Sequence, residues 1–395
     1  MLDLRVDNAR LYPMEGSAQR SASRSFGVRQ GRIVAAGPDS PAHEELDARD
    51  RVVLPGFIDC HTHALYAGDR MSEHLRKLAG ASYAEIAQSG GGILSTVRAV
   101  REASRDQLVE QTRPRLAALE AEGVTTVEIK SGYGLSVEHE IKMLEAIRDL
   151  AEQTPQRIVP TFLGAHSVPP GVTREQYIGT LVDEALPLIA ERRLAEAVDI
   201  FIESIAFSVE DARRLFERAR ELGLRVKGHC EQLSLTGASA LAASFDALSC
   251  DHLEYLDAEG ARAMAKAGTV AVLLPGAFYF LRETRKPPIA LLREHGVPLA
   301  IASDLNPGTS PIPSLLTNLH MAVTFFGVTP EEALLGITYN AARALGREDI
   351  GALVPGRRAD FTLWNVPEPG FLAYQLGGLA PESVYIEGQA TCLGN

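Results

Sequence analysis

Eight short apolar runs, rich in β-branched residues, are spaced through the middle of this chain with helix-length segments between them, and that alternation leaves few folds open. The runs cover residues 53–61, 125–129, 157–163, 198–202, 224–228, 247–252, 270–274 and 298–302. Apolar strands joined by crossover helices form a parallel sheet, because each helix must bury its apolar stripe against the strands. Eight such units predict an α/β fold closed into a (β/α)8 TIM barrel.

Punctuation residues bound the helices. Thr329-Pro330-Glu331-Glu332 joins an N-cap, a proline at the first helical position and an acid able to bend back on the cap, and Gly346 follows the last periodic residue. Ser208-Val209-Glu210-Asp211 opens another helix, which Gly223 closes. Outside the eight runs the pattern changes. Residues 1–54 carry short alternating runs (Leu2-Leu4-Val6, Phe26-Gly27-Val28, Arg32-Ile33-Val34), and the same style returns after residue 348 in Asp360-Phe361-Thr362-Leu363-Trp364 and Ser383-Val384-Tyr385-Ile386. Residues 1–54 plus 348–395 are therefore expected to build one small β-sandwich-like domain, and residues 55–347 the catalytic barrel.

The formal net charge of −12 argues against a broad nucleic-acid or anionic-membrane surface, since phosphates are bound through clustered Lys and Arg. A small-molecule substrate is the expected partner. Residues 1–7 alternate polar and apolar where a secretory leader needs an unbroken apolar segment. The longest apolar stretch, 270–281, contains Pro275 and Gly276 and falls short of the roughly 18 residues of a membrane span. Cys60, Cys230, Cys250 and Cys392 show no CxxC spacing and read as packing thiols of a reduced compartment, the cytoplasm.

In such a barrel the chemistry sits where strands end on their C-terminal side. His61 and His63 fall there after the first run, His166 after the third, His229 after the fifth and His252 at the end of the sixth, while Asp304 follows the eighth. The i, i+2 spacing of His61 and His63 sends both imidazoles to one face of an extended segment. With His229 and Asp304 they make three nitrogens and one carboxylate oxygen, a set suited to one divalent ion, Zn2+ or Fe2+. Such an ion acidifies a water and polarises a carbonyl, so a base and a proton carrier are needed beside it, and His252 and Asp304 are the candidates. His252 has a second reading, as ligand of a second metal. The fourth run ends Ile202-Glu203-Ser204, without the bridging lysine of two-metal barrels, which favours one ion while Glu203 keeps a two-metal site open.

The segment Leu54-Pro55-Gly56-Phe57-Ile58-Asp59-Cys60-His61-Thr62-His63 is similar to the signature of the amidohydrolase superfamily. Ala67-Gly68-Asp69-Arg70, Gly90-Gly91-Gly92-Ile93, Glu128-Ile129-Lys130-Ser131-Gly132-Tyr133-Gly134, Gly164-Ala165-His166 and Ser303-Asp304-Leu305-Asn306-Pro307-Gly308 together resemble the imidazolonepropionases of that superfamily, over nearly the whole chain. The resemblance implies hydrolytic ring opening of 4-imidazolone-5-propanoate to N-formimidoyl-L-glutamate in histidine degradation, with His61, His63, His229 and Asp304 on the metal. It implies Arg70, Tyr133, His166, Gln232, Asn306, Gly308 and Thr309 as substrate contacts, and a homodimer. It matches His252 to the water-activating histidine of one-metal members. Asp304 would then pass a proton to the leaving ring nitrogen, and His166 would steady the developing oxyanion or position the ring.

Arg70 offers a forked, charge-assisted partner to the propionate, and Tyr133 a phenolic hydroxyl; without the resemblance, Arg70 reads as an ordinary surface arginine. Position 232 departs from the pattern, because a Glu there in family members handles protons whereas Gln232 does not titrate. His252, Asp304 or Glu231 must then move the proton. Gly90-Gly91-Gly92 offers exposed amides to an anion or a hinge for a lid. Two rivals stand beside this reading. A deaminase or cyclic amidase acting on a purine, pyrimidine or hydantoin-like ring would give Arg70 no carboxylate to bind, and a catalytically silent barrel would have lost metal ligands that are all present here.

Overall fold

The computed structural model describes residues 1–80, 85 and 91–391, so that Gly90 and Cys392 lie outside the described residues. Eight parallel strands follow one another around the barrel in chain order: Phe57–Asp59, Val124–Lys130, Arg157–Ala165, Ala197–Ile202, Gly228–Cys230, Ser249–His252, Val270–Leu273 and Leu299–Ile301. Their apolar residues are buried almost without exception, as two-sided packing demands. The eighth strand meets the first at their C-terminal ends. There Thr62 bridges Leu305, the Asp304 amide donates to the His61 carbonyl at 3.0 Å, and the His63 amide donates to the Leu305 carbonyl at 3.0 Å. The seam that closes the barrel is thus also the place where His61, His63 and Asp304 come together.

Two expectations need correction. The run 53–61 is not one strand. Val52–Pro55 pairs antiparallel with Phe361–Trp364 in the terminal β domain, and only Phe57–Asp59 enters the barrel. Gly56 is the joint, and an added Cβ there would overlap the Thr125 side chain. The helix opened by Thr329 does not reach Gly346 unbroken. It runs Pro330–Gly336, the chain leaves helical geometry at Thr338 (φ −130°, ψ −97°), and a second helix covers Tyr339–Ala344. The caps themselves form as expected: Thr329 and Glu332, and Ser208 and Asp211 before Val209–Glu221, make reciprocal capping boxes.

Strands from both ends of the chain meet beneath the barrel. Leu2–Asp7, Phe26–Arg29, Arg32–Val34 and Ala42–Asp47 make one sheet, and Arg10–Leu11, Val52–Pro55, Phe361–Trp364, Ser383–Ile386 and Gln389–Ala390 the other. Leu4, Val6, Phe26, Val28, Val53, Phe361 and Leu363 form the core these sheets share. Among the described residues no helix is long and apolar enough to cross a membrane.

Candidate active site

After Phe57–Asp59 the chain stays extended. Thr62 turns into the barrel wall, its hydroxyl donating to the Glu128 carbonyl at 2.6 Å, so His61 and His63 take the opposite face. His229 arrives from the fifth strand, and the three imidazoles form a buried cluster with ring centroids 4.6–5.5 Å apart. Nε2 of His61 and Nε2 of His63 each lie 3.4 Å from Asp304 Oδ1, and Nε2 of His229 lies 3.4 Å from Nε2 of His63. Bonds of 2.0–2.1 Å to a tetrahedral ion place its donors about 3.3–3.4 Å apart. His61 Nε2 is buried without a hydrogen-bond partner. The donor set, its spacing and that unpartnered nitrogen all fit one small divalent cation.

The other nitrogens are set from behind by residues the sequence reading did not single out. His61 Nδ1 lies 2.6 Å from Asp251 and His229 Nδ1 lies 3.1 Å from Asp199. A carboxylate accepts there, so each Nδ1 carries the proton and each Nε2 keeps its lone pair for a metal. Lys130 links the two acids, 2.8 Å from Asp199 and 3.9 Å from Asp251, and also lies 2.8 Å from Glu128, which Lys227 approaches at 2.8 Å. Burial opposes the Lys130 charge, but Asp199, Glu128 and Asp251 outweigh it and lift the ammonium above the ordinary lysine range. Burial, reinforced by the Lys130 charge and neighbouring imidazoles, drives His61 and His63 well below the usual histidine range, so both are neutral, as metal ligands must be. Burial pushes the Asp304 carboxyl up to about 7. The available signal for these partners was a charge inside an otherwise apolar run: Glu128 and Lys130 in the second strand, Asp199 in the fourth, Asp251 in the sixth.

His252 closes the site from the sixth strand, its ring 5.5 Å from that of His229, with Nδ1 buried and unpartnered. His252 and Leu253 both sit at positive φ, 81° and 76°, a turn that ordinary residues adopt only under constraint. His166 stacks on His63 at 5.0 Å, and its Nδ1 lies 3.1 Å from the Gly132 carbonyl, which only accepts. The Nδ1 proton is therefore engaged, and burial holds the ring neutral by pushing it down to about 3. Tyr133 lies 5.4 Å from His166 and 6.0 Å from His63. Its loop is gathered by the buried Glu140, which accepts the amides of Gly132, Gly134 and Leu135 at 2.7–2.9 Å.

The remaining expected residues divide. Arg70 packs against Gly308, where an added Cβ would overlap the guanidinium, and its Nε donates to Glu73 at 2.9 Å. Asn306 is occupied within its own turn: Oδ1 accepts the Gly308 and Thr309 amides at 2.8 Å, and Nδ2 donates to the Asp304 carbonyl and the Thr309 hydroxyl. Gln232 is half-buried on the turn after the fifth strand. Glu203 holds that turn, accepting the Leu233 amide and the Ser234 hydroxyl. Glu231 turns away, its carboxylate accepting the Ser239 amide.

Residues 52–391 match the amidohydrolase family. The chain is 50% identical over 394 residues to an imidazolonepropionase of Hahella chejuensis, covering 97% of this chain and 98% of that protein. It is 52% identical over 370 residues to the imidazolonepropionase of Ectopseudomonas mendocina, covering 91% of each. Similar folds are an adenosine deaminase of Xanthomonas campestris with bound zinc (TM-score 0.72, 17% identity, 98% of this chain and 92% of that one) and a mutant of the atrazine chlorohydrolase of Arthrobacter aurescens complexed with zinc and atraton (TM-score 0.70, 17% identity, 98% and 94%). At that identity the likeness is one of fold alone.

Proposed function

The chain belongs to the amidohydrolase family and, within it, to the imidazolonepropionases, and from that premise we propose how its residues open the ring of 4-imidazolone-5-propanoate to give N-formimidoyl-L-glutamate. A water oxygen bonds to the ring carbonyl carbon, the bond from that carbon to the ring nitrogen breaks, and the nitrogen leaves with a proton while the carbonyl becomes a carboxylate. The observation that carries the assignment of roles is the convergence of His61, His63, His229 and Asp304 on one buried point, with His252 and His166 packed against it.

A divalent ion held by those four groups would supply an acidified water and an electrophile toward the carbonyl oxygen. Zinc is supported over ferrous iron by the zinc in two solved structures of like fold. His252, buried and held neutral, takes the proton of the attacking water through an unpartnered nitrogen. Asp304 passes a proton to the leaving nitrogen. His166 has only Nε2 left, a hydrogen-bond acceptor, so it receives a ring N–H and positions the ring; a neutral acceptor does not steady an oxyanion. Arg70 and Tyr133 take the propionate, and Gln232 orients the ring. Asn306 and Thr309 act by folding the turn that brings Gly308 under Arg70. Operation in the cytoplasm is supported by Cys60, Cys230 and Cys250, all buried as free thiols.

The test is a coupled assay in which urocanate and urocanase generate the unstable substrate in place and mass spectrometry follows N-formimidoylglutamate. Product that a chelator abolishes is expected. His252→Ala should keep its metal while turnover falls by about 10²–10⁴-fold, whereas His61→Ala should lose the metal too. Full turnover in His252→Ala would remove that residue's role, and no product from metal-loaded protein would point to a deaminase or cyclic amidase.

A further inference from the structure

We propose that Glu73 is the positioning residue of the carboxylate-binding arginine: it sets the Arg70 guanidinium before substrate arrives and so fixes the preference for a ring that carries a propionate. The inference rests on the reading of Arg70 given above. Arg70 stands at the N-cap of the helix Met71–Leu78, and Glu73 is that helix's third residue. An acid at this position commonly bends back to the N-cap amide. Glu73 does something else. Oε2 accepts Nε–H of Arg70 at 2.9 Å and the Gly92 amide at 3.1 Å, and Oε1 accepts the Ser95 hydroxyl at 2.7 Å.

Three donors from three directions leave this carboxylate little freedom, and its side chain is mostly buried, as is that of Arg70. Gly92 delivers its amide from a backbone at φ 76°, a conformation that would strain a residue with a side chain. Burial works against the Glu73 charge, but the Ser95 hydroxyl, the Arg70 charge and the Gly92 amide outweigh it, so the group is ionised. On its other side the guanidinium lies against Gly308, whose place is set by Asn306. With Nε–H given to Glu73 on one edge and glycine backbone below, the guanidinium plane is fixed. Its terminal N–H groups form a fork ready for a second carboxylate.

An arginine ordered in the free protein loses less freedom on binding than a mobile one, and that difference appears as affinity for the group it binds. Glu73 also places a negative charge beside the cation. If neutralising Arg70 were its main effect, removing it would tighten the binding of an anion. The two accounts therefore differ in sign.

The experiment titrates metal-loaded wild type, Glu73→Ala, Glu73→Gln and Arg70→Ala with 3-(imidazol-4-yl)propionate and with 4-propylimidazole, which has the same ring and no carboxylate. Glu73→Ala should weaken the propionate about tenfold, leave 4-propylimidazole unmoved, and raise KM in the coupled assay far more than it lowers kcat. Glu73→Gln, of the same shape, should fall between, and adding Glu73→Ala to Arg70→Ala should cost little more than Arg70→Ala alone. Unchanged or tighter propionate binding in Glu73→Ala and Glu73→Gln, with Arg70→Ala still impaired, overturns the proposal and spares the reading of Arg70. Unchanged binding in Arg70→Ala overturns both.

Discussion

A carboxyl group withdrawn from water with an oxygen left unpartnered keeps its proton unless a cation stands beside it. Glu254, two residues beyond His252, is 5% exposed, and its Oε2 has no hydrogen-bond partner. Burial, then the nearby Glu283, Asp304 and Glu203 charges, push it up to about 8. Its folded pKa therefore stands above its unfolded value of about 4.3. The stability it contributes is fully present below the unfolded pKa and is lost as pH rises toward 8, because over that interval the unfolded chain releases a proton that the folded chain retains. Glu254→Gln keeps the shape and removes the titration. Thermal unfolding measured from pH 5 to pH 8 should show the variant gaining on wild type as pH rises, with a limiting slope of about 1.4 kcal/mol per pH unit. A constant difference across that range would mean that Glu254 is ionised in the fold. His166, pushed down to about 3, works in the opposite direction: its contribution is complete above about pH 6.5 and fades as the medium becomes acidic.

The second barrel strand carries the organising charge of the interior. Glu128 and Lys130, two residues apart on one face of Val124–Lys130, meet Asp199 from the fourth strand and Asp251 from the sixth, and these two acids orient His229 and His61. Lys130→Met would leave buried carboxylates short of a cation, which typically costs about 3–5 kcal/mol. Loosening their hold on two ligand imidazoles should weaken metal binding about 10- to 100-fold. Competition against a chelator, read beside denaturant unfolding of the metal-free protein, separates these effects. Unaltered metal affinity in a destabilised Lys130→Met would limit Lys130 to holding the fold. This network also marks where the sequence stopped being informative. Strands and ligand histidines were legible because two-sided burial writes itself as continuous apolar runs, and a strand's last residues are where a barrel presents chemistry. Lys130 was not, since a buried lysine is defined by partners 69 and 121 residues away, Asp199 and Asp251, that no local pattern pairs with it. Gly56 was hidden for a related reason. The run 53–61 is equally apolar on both sides of it, although its halves serve different sheets. Asn306 and Gly308 were expected as substrate contacts from family likeness alone, and no local pattern shows that their turn also packs under Arg70.

At the scale of the whole molecule, the β domain joins the barrel at the N-terminal ends of its strands, opposite the histidines. On its way into the barrel the chain passes through Gly56, with its amide bonded to the Asp360 carbonyl at 2.9 Å and the Phe57 amide bonded to the Gly123 carbonyl at 2.9 Å, and it returns through residues 345–360. Arg157, opening the third strand, pairs with Asp360 at 2.7 Å. Trp364, the single tryptophan, is wholly buried at this junction and stacks on Phe57 with centroids 5.5 Å apart. A first crossing without a linker, sealed by a buried aromatic pair and an ion pair, gives neither part a low-cost way to separate first. Guanidinium unfolding should therefore give the same midpoint by tryptophan fluorescence, which reads the junction, and by far-ultraviolet circular dichroism, which is dominated by the barrel helices. Trp364→Ala should lower stability by about 3–5 kcal/mol while the folded variant keeps its metal affinity and its KM, because the lost contacts lie at the end of the barrel where stability, and not chemistry, is built. A fluorescence midpoint at lower denaturant would show that the β domain detaches first, and a raised KM in Trp364→Ala would show that the junction reaches through the barrel to the site.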